Sequence, residues 1–490
     1  LIIALGLLVD DAIIAVEMMA LKLEQGWNKF QAATYAYSST AFPMLTGTLI
    51  TAATFLPVGL AKSMAGEYVF SLFAVVGIAL VLSWIVAVVF TPYLGYKLLS
   101  SHARHEEVDV YQKPFYLRFR ALLGWCLDHR KTVIAATLAA FVVSLFAFKL
   151  FVAQQFFPSS NRPELMVDMW LPRGASYHAT LEQVEKMEKL ARADPGVASV
   201  TSYVGSGSPR FYLPLDQQQQ HTNYAQLMVM TRDEHVREAV KARLEKIFDN
   251  DFPLVRGRVT RLENGPPVGY PVQFRVMGPD HDQVRKIADQ VEALVRKHPS
   301  TLHVNQNWGE QVKALRIDID QDKAATLGLS SQQLSQQLQM LISGSAVSDY
   351  REGNQSIAIV ARLNPGEQRD VAALGNLMVQ TASGRFVPVS QIGHIRYEPE
   401  EGIIWRRNRL PTITVSADVV DGVQGADVST QLSPGMAALE KTLPLGYHIE
   451  AGGTLESSGK SQQAIAAVAP LMIVVVLTLL MLQLQSFQRT

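Results

Sequence analysis

The chain has 490 residues, with 44 lysines and arginines against 44 aspartates and glutamates, so its formal net charge is zero. No bulk charge therefore argues for nucleic acid or an acidic partner. A single cysteine, Cys126, excludes an intrachain disulfide framework and any multi-cysteine metal site, and no Cys/His group has zinc spacing. Leu1 opens inside an apolar run and Thr490 falls just past another. No initiator methionine or signal peptide is present. The chain reads as a piece of a longer one.

A spanning helix needs about 20 mostly apolar residues. The candidates are residues 1–21, 42–61, 68–99, 132–151 and 464–484. Lys97, Arg104, Lys113, Arg118, Arg120, Arg130 and Lys131 lie between the third and fourth, whereas only Lys62 and Glu67 lie between the second and third. Cations stay on the cytoplasmic side, so residues 97–131 are expected inside and residues 154–463 outside. Near 113–129, Phe115, Tyr116, Phe119, Leu122, Leu123 and Trp125 share one side of a helix. Two readings stand for it: a helix on the membrane surface, or an amphipathic linker packed on the protein.

The external segment reads as α+β. Strand candidates 165–171 and 197–204 flank a helix at 180–192. Candidates 225–231 and 254–262 flank a helix at 236–248. This is the split βαβ unit, twice, of a ferredoxin-like sandwich. A second such unit opens with strand 272–277, helix 283–297 and strand 302–307. It closes only with strand 412–419, helix 426–443 and strand 447–451. Residues from about 313 to 401 are read as an insertion.

Asp10 and Asp11 sit inside an apolar run. A carboxylate at mid-span costs at least about 2.5 kcal/mol on insertion scales. Burial favours the neutral form and a nearby cation the charged form, so such a pair is suited to loading and releasing a proton. The competing reading places both at a helix end in the interface. Glu17 follows seven residues after Asp10 and reads as a carboxylate at the membrane boundary. Thr48, Thr51 and Thr54 recur at three-residue spacing. They read as back-bonding to their own helix, with a relay role as the alternative. In the external segment, Gly205-Ser-Gly-Ser-Pro-Arg-Phe-Tyr212 lacks the frame of a phosphate-cradling loop. A mobile loop in which Tyr203, Phe211 and Tyr212 touch an apolar ligand is one reading, and inward-packed aromatics the other. Met228 and Met230 flank Val229 on a strand and read as core. No nucleophile, base and orienting group form a hydrolytic set, so an enzyme is not expected, nor a cofactor.

The residues resemble those of the resistance-nodulation-division permeases, in their hydrophobe and amphiphile exporting branch. Gly6-Leu-Leu-Val-Asp-Asp-Ala-Ile13 carries the acidic pair of that family's fourth transmembrane helix. Further matches run in order: Phe42-Pro43, Phe55-Leu56-Pro57-Val58, Phe90-Thr-Pro92, Phe157-Pro158, Arg162-Pro163, Gly265-Pro-Pro267, Ile317-Asp-Ile-Asp320, Ala324, Leu327-Gly328, Arg407-Asn408, Gly452-Gly453, Glu456 and Gln485-Ser-Phe487. The resemblance implies an α-helical membrane domain with an α+β periplasmic porter domain. Residues 1–153 would hold the fourth to seventh of twelve transmembrane helices, and residues 460–490 the eighth. Residues 154–269 would form one porter subdomain. Residues 270–312 with 403–459 would form a second, and 313–402 a docking subdomain inserted in it. The resemblance also implies a homotrimer in the bacterial inner membrane, driven by protons and working with a periplasmic adaptor and an outer-membrane channel. Its substrates would be small hydrophobic or amphiphilic compounds, and Asp10 and Asp11 its proton-binding carboxylates. Their usual partner, a lysine on the tenth helix, lies beyond the chain. The position after Glu17 is often Asn in the family and is Met18 here. The heavy-metal branch has Asp-Gly where this chain has Asp10-Asp11. A non-transporting membrane protein of similar architecture is the remaining alternative.

Overall fold

A computed structural model of the chain describes residues 2–99, 114–151, 160–265, 268–363 and 374–486. Arg104, Lys113, Phe157-Pro158, Pro266-Pro267 and Phe487 lie outside them.

Helix α1 (Ile2–Glu24) turns at Gly26 and leads into α2 (Lys29–Thr54). The Asn28 side chain caps α2 by accepting the Gln31 N–H at 2.7 Å. A one-turn helix, α3 (Leu56–Gly59), precedes α4 (Met64–Leu98), which Ser63 caps. The expected second span, 42–61, is therefore corrected. The helix begins at Lys29, well before the apolar run, and stops at Thr54. Its first half escapes a hydropathy reading because its polar groups are satisfied within the helix. Thr34 donates to the Phe30 carbonyl at 2.9 Å and Ser39 to that of Tyr35 at 2.7 Å.

Helices α1 and α2 pack along α4. The contact faces carry small side chains: Ala15, Ala32, Ala36 and Ala87 are all buried. A Cβ added at Gly95 of α4 would lie 2.6 Å from Met19 Sδ, so a larger residue there would make the methionine side chain move. Helices α5 (Pro114–Asp128) and α6 (Arg130–Phe151) follow. No residue of α5 is buried among the described residues. The C-terminal helix, Gly453–Leu484, starts eleven residues earlier than its apolar run, because a polar first section continues straight into it. Among the described residues, three helical stretches are long and apolar enough to cross a membrane: Gly66–Leu98, Arg130–Phe148 and Gly453–Leu484. Helices α1 and α2 carry carboxylates and hydroxyls and lie alongside the first of these.

The first external unit runs β1 (Glu164–Trp170), α7 (Tyr177–Ala193), β2 (Val197–Val204), β3 (Tyr224–Thr231), α8 (Glu234–Asp251) and β4 (Arg256–Arg261). Its antiparallel sheet has the order β2-β3-β1-β4, the ferredoxin-like arrangement. Leu165, Val167 and Met169 alternate toward one face, where Val184 and Met187 of α7 and Val240 and Leu244 of α8 complete the core. Val229 belongs to that core, while its neighbour Met228 turns to the other face with Met166.

The second unit pairs β5 (Val272–Met277), α9 (His281–Arg296) and β6 (Thr301–Gln306) with β14 (Leu410–Val419), the helix Gly425–Glu440 and β15 (His448–Ala451). β14 lies between β5 and β6, and β15 borders β5 on the far side. The two halves, more than a hundred residues apart in sequence, thus close one sheet over a common core around Phe274, Ile287, Val291, Trp308 and Val415. The intervening stretch has its own core of Ala324, Leu329, Leu334, Val379, Val389 and Ile392. It leaves and rejoins through the antiparallel pair β7 (Val312–Ile319) and β12 (Gly393–Glu400). Between these lie α10 (Gln321–Thr326), α11 (Ser331–Ile342), the hairpin of β8 (Ser345–Glu352) with β9 (Gln355–Ala361) and the short pair β10 (Met378–Gln380) with β11 (Phe386–Pro388); β13 (Arg406–Arg407) follows β12 and pairs with β14.

Candidate proton site and external loop

Ala15, Met19 and Leu23 form a buried row along α1 at four-residue spacing. Asp11 continues that row one turn earlier and so faces α2. There the Thr48 hydroxyl lies 3.0 Å from Asp11 Oδ2 and 2.8 Å from the Met44 carbonyl of its own helix. Thr48 is 6% exposed. The Trp84 indole N–H of α4 donates to the Ala41 carbonyl at 2.8 Å, which fixes α2 against α4 at the same level. A cavity of about 370 Å³ opens beside the pair, lined by Asp11, Ile14, Ser39, Thr40, Pro43, Met44, Gly47, Thr48, Thr51 and Leu80. Pro43 has no N–H to offer the Ser39 carbonyl one turn back, so the cavity wall includes a break in the α2 ladder.

Of the three threonines spaced along α2, only Thr48 reaches a carboxylate among the described residues. Thr51 donates to the Gly47 carbonyl at 3.0 Å and Thr54 to that of Thr51 at 2.6 Å. Asp10 lies in the same helix, but its side chain falls outside the described residues. Glu17 is exposed. Among the described residues, no group of three or more His, Cys, Asp or Glu side chains is arranged to hold a metal ion.

The loop after β2 lies over the second face of the first sheet. Gly205 enters with φ +77° and its N–H donates to the Tyr224 carbonyl at 2.8 Å. Ser208 N–H donates to Gln226 Oε1 at 2.8 Å, and Gln226 Nε2 donates to Asp168 at 2.9 Å. The Tyr224 hydroxyl also donates to Asp168, at 2.5 Å. Burial and the neighbouring Asp168 charge hold the Tyr224 phenol well above its ordinary range. Tyr212 packs with Met166, Leu215 and Leu262, and its oxygen accepts the Glu263 N–H at 3.2 Å. Phe211 lies beside it at a tilt, with ring centroids 5.1 Å apart, yet stays 40% exposed. Tyr203 is half-buried on β2. The structure thus separates the three aromatics: Tyr212 is part of a core, and Phe211 is the one presented outward.

Two features were not foreseen from the sequence. A larger cavity, about 760 Å³, lies where the second unit meets the helices, away from the Asp11 site. Leu60, Met64, Val268 and Ala464 line it with Arg275, Glu456 and Lys460, and Glu456 forms an ion pair with Arg275 at 2.7 Å. The second feature is an ion pair between the two sheets, Arg258 on β4 with Asp418 on β14. A charged residue on each of two strands was the available signal, and it does not say which partner each one takes.

The AcrB/AcrD/AcrF family matches the chain over residues 1–490. A multidrug resistance protein MdtC from Cronobacter sakazakii is 23% identical over 448 residues, covering 89% of this chain and 42% of that protein. Its counterpart from Pectobacterium carotovorum subsp. carotovorum is 21% identical over 476 residues, covering 94% and 45%. The crystal structure of a heavy metal efflux pump superposes with a TM-score of 0.76 at 21% identity, over 97% of this chain and 48% of that one, a likeness of fold. The chain spans about half the length of these relatives. It belongs to the AcrB/AcrD/AcrF family of resistance-nodulation-division transporters, bacterial inner-membrane proteins with a periplasmic domain.

Proposed function

We propose that the full transporter exports hydrophobic or amphiphilic compounds across the inner membrane in exchange for protons, with Asp10 and Asp11 as the proton-carrying carboxylates. The observation that carries this reading is the Asp11 carboxylate held by Thr48 beside a cavity among apolar helices. Protonation there changes the local charge by one unit and biases helix packing between two arrangements, which is what coupling needs. In this reading the first external unit and the second are porter subdomains, and the stretch inserted between β6 and β14 is the docking element. The working form is a homotrimer joined to a periplasmic adaptor and an outer-membrane channel.

Export of heavy-metal cations is the second reading, and the fold shared with a heavy metal efflux pump is what favours it. The Asp10-Asp11 pair and the multidrug names of the relatives favour amphiphiles. Asp10→Asn and Asp11→Asn, made separately in the full-length transporter, keep size and hydrogen bonding but remove titration. Each is expected to abolish export of amphiphilic dyes while membrane insertion and assembly persist. Wild-type export by both variants, with protons still moving, would overturn the proposal. Resistance to divalent metals without resistance to any amphiphile would turn it toward the second reading.

A further inference from the structure

We infer that Thr48 is the positioning residue for Asp11, its single hydroxyl hydrogen turning between the Asp11 carboxylate and the Met44 carbonyl as Asp11 gains and loses its proton. This rests on Asp11 being a proton carrier. The Thr48 oxygen is within hydrogen-bond distance of both groups, at 3.0 and 2.8 Å, but a hydroxyl has one hydrogen and two lone pairs. The Met44 carbonyl accepts only. When Asp11 is ionised, the Thr48 hydrogen points to the carboxylate. When Asp11 holds a proton, its own O–H donates to the Thr48 oxygen, and the Thr48 hydrogen turns to Met44. Thr48 never ionises, and the proton that leaves Asp11 passes to water.

The turn is inexpensive on both sides. In a continuous helix the Met44 carbonyl also accepts the Thr48 backbone N–H, so it is not orphaned when the hydroxyl turns away. The ionised arrangement has one charge-assisted bond and the protonated one has two neutral bonds, and charge-assisted bonds are about twice as strong. The two sums nearly cancel. Threonine is β-branched and restricted at χ1, so the hydrogen can turn about the C–O bond while the oxygen keeps its place. Serine at 39 and threonines at 40 and 51 also line the cavity, but each donates to its own helix, at 2.7, 2.6 and 3.0 Å. The described helix segments around the cavity carry few ionisable side chains. From Val69 to Pro92 of α4, from Ser38 to Thr54 of α2 and from Ala464 to Leu484 of the C-terminal helix there is none. On α1 the charged neighbours are Asp10 and the exposed Glu17.

The test is infrared difference spectroscopy on the purified full-length transporter across pH, alongside export rates. The carbonyl band lost in Asp11→Asn belongs to protonated Asp11. In Thr48→Val that band is expected to move to the position of a carboxyl without a hydroxyl partner, and export to fall about five- to tenfold. Thr48→Ser should restore both, and Thr51→Val should change neither. Thr48→Ala repeats the measurement should the valine variant fail to assemble. An Asp11 band unmoved by losing the Thr48 hydroxyl, or moved equally by Thr51→Val, would overturn the role of Thr48 alone. The absence of any Asp11 band at every pH would remove the proton-carrier reading and this inference with it.

Discussion

Arg258 on β4 and Asp418 on β14 form a two-pronged ion pair, at 2.8 and 2.7 Å, that ties the first external sheet to the second. His303 adds a contact to the same carboxylate at 3.4 Å, and the Arg258 guanidinium lies 3.9 Å over the Tyr270 ring. Both charged side chains are largely buried. Burial pushes the Asp418 carboxyl up, but the Arg258 charge and the His303 hydrogen bond outweigh it and leave the group below its ordinary value.

Asp418→Ala leaves Arg258 buried and unpaired. The expected cost is about 3–5 kcal/mol. It should appear as a lower unfolding temperature of the detergent-purified protein and as faster proteolysis between the two units. Replacing both partners by apolar residues should cost less than the single change. The pH dependence follows from the sign of the shift. A carboxyl lowered in the folded state contributes stability that is complete above its unfolded value, about 4, and is lost as pH falls through the lower folded value. The contribution of this pair should thus be constant through the neutral range and fade only in acid. A loss of that contribution centred near neutral pH would contradict this account.

Gly257 on β4 lies under the ring of Phe248 from α8. A Cβ built there would meet the ring at 2.1 Å, and Phe248 is itself 8% exposed. Gly257→Ala must displace a packed aromatic and should destabilise the first unit by about 1–3 kcal/mol. Adding Phe248→Leu should return part of that loss, which a thermal melt of the double variant checks. Equal stability of Gly257→Ala and wild type would mean that α8 shifts freely on the sheet.

Phe211 and Tyr212 are adjacent, but their surroundings differ, and so should their variants. Phe211→Ala removes an outward ring and is expected to leave expression and melting unchanged while altering resistance to some amphiphiles more than others. Tyr212→Ala removes packing against Met166, Leu215 and Leu262 and should lower stability outright. An unchanged resistance profile for Phe211→Ala across a broad panel would end its candidacy as a substrate contact.

The external architecture was legible because strand alternation and helical periodicity were both present, and even the late closure of the second unit followed from element order. Asp10 and Asp11 were legible because a charge inside an apolar run is costly. What could not be read were pairings between distant positions. Thr48 and Asp11 are 37 residues apart, and Arg258 and Asp418 are 160 apart. The first half of α2 was missed for a different reason: hydroxyls that bond to their own helix depress hydropathy while the helix persists, so a search for apolar runs starts later than Asn28, which caps the start of the helix.

The orientation of the chain follows from the same physics that sets its spans. Arg118, Arg120, Arg130 and Lys131 are expected to keep α5 and the start of α6 on the cytoplasmic side, with α6 then crossing outward. Gln219, in the loop between β2 and β3, and Asp128, at the end of α5, are both exposed and so suit cysteine labelling. In the full-length transporter freed of other cysteines, Cys126→Ser included, a membrane-impermeant maleimide should label Gln219→Cys in intact spheroplasts. It should label Asp128→Cys only after lysis. The distance between the two probes along the chain includes α6, a single span, so their opposite behaviour would report one crossing. The reverse pattern would place the cation-rich loop outside and overturn the orientation. Equal labelling of both before lysis would mean that α6 does not cross, and its exposed apolar surface would then need another explanation.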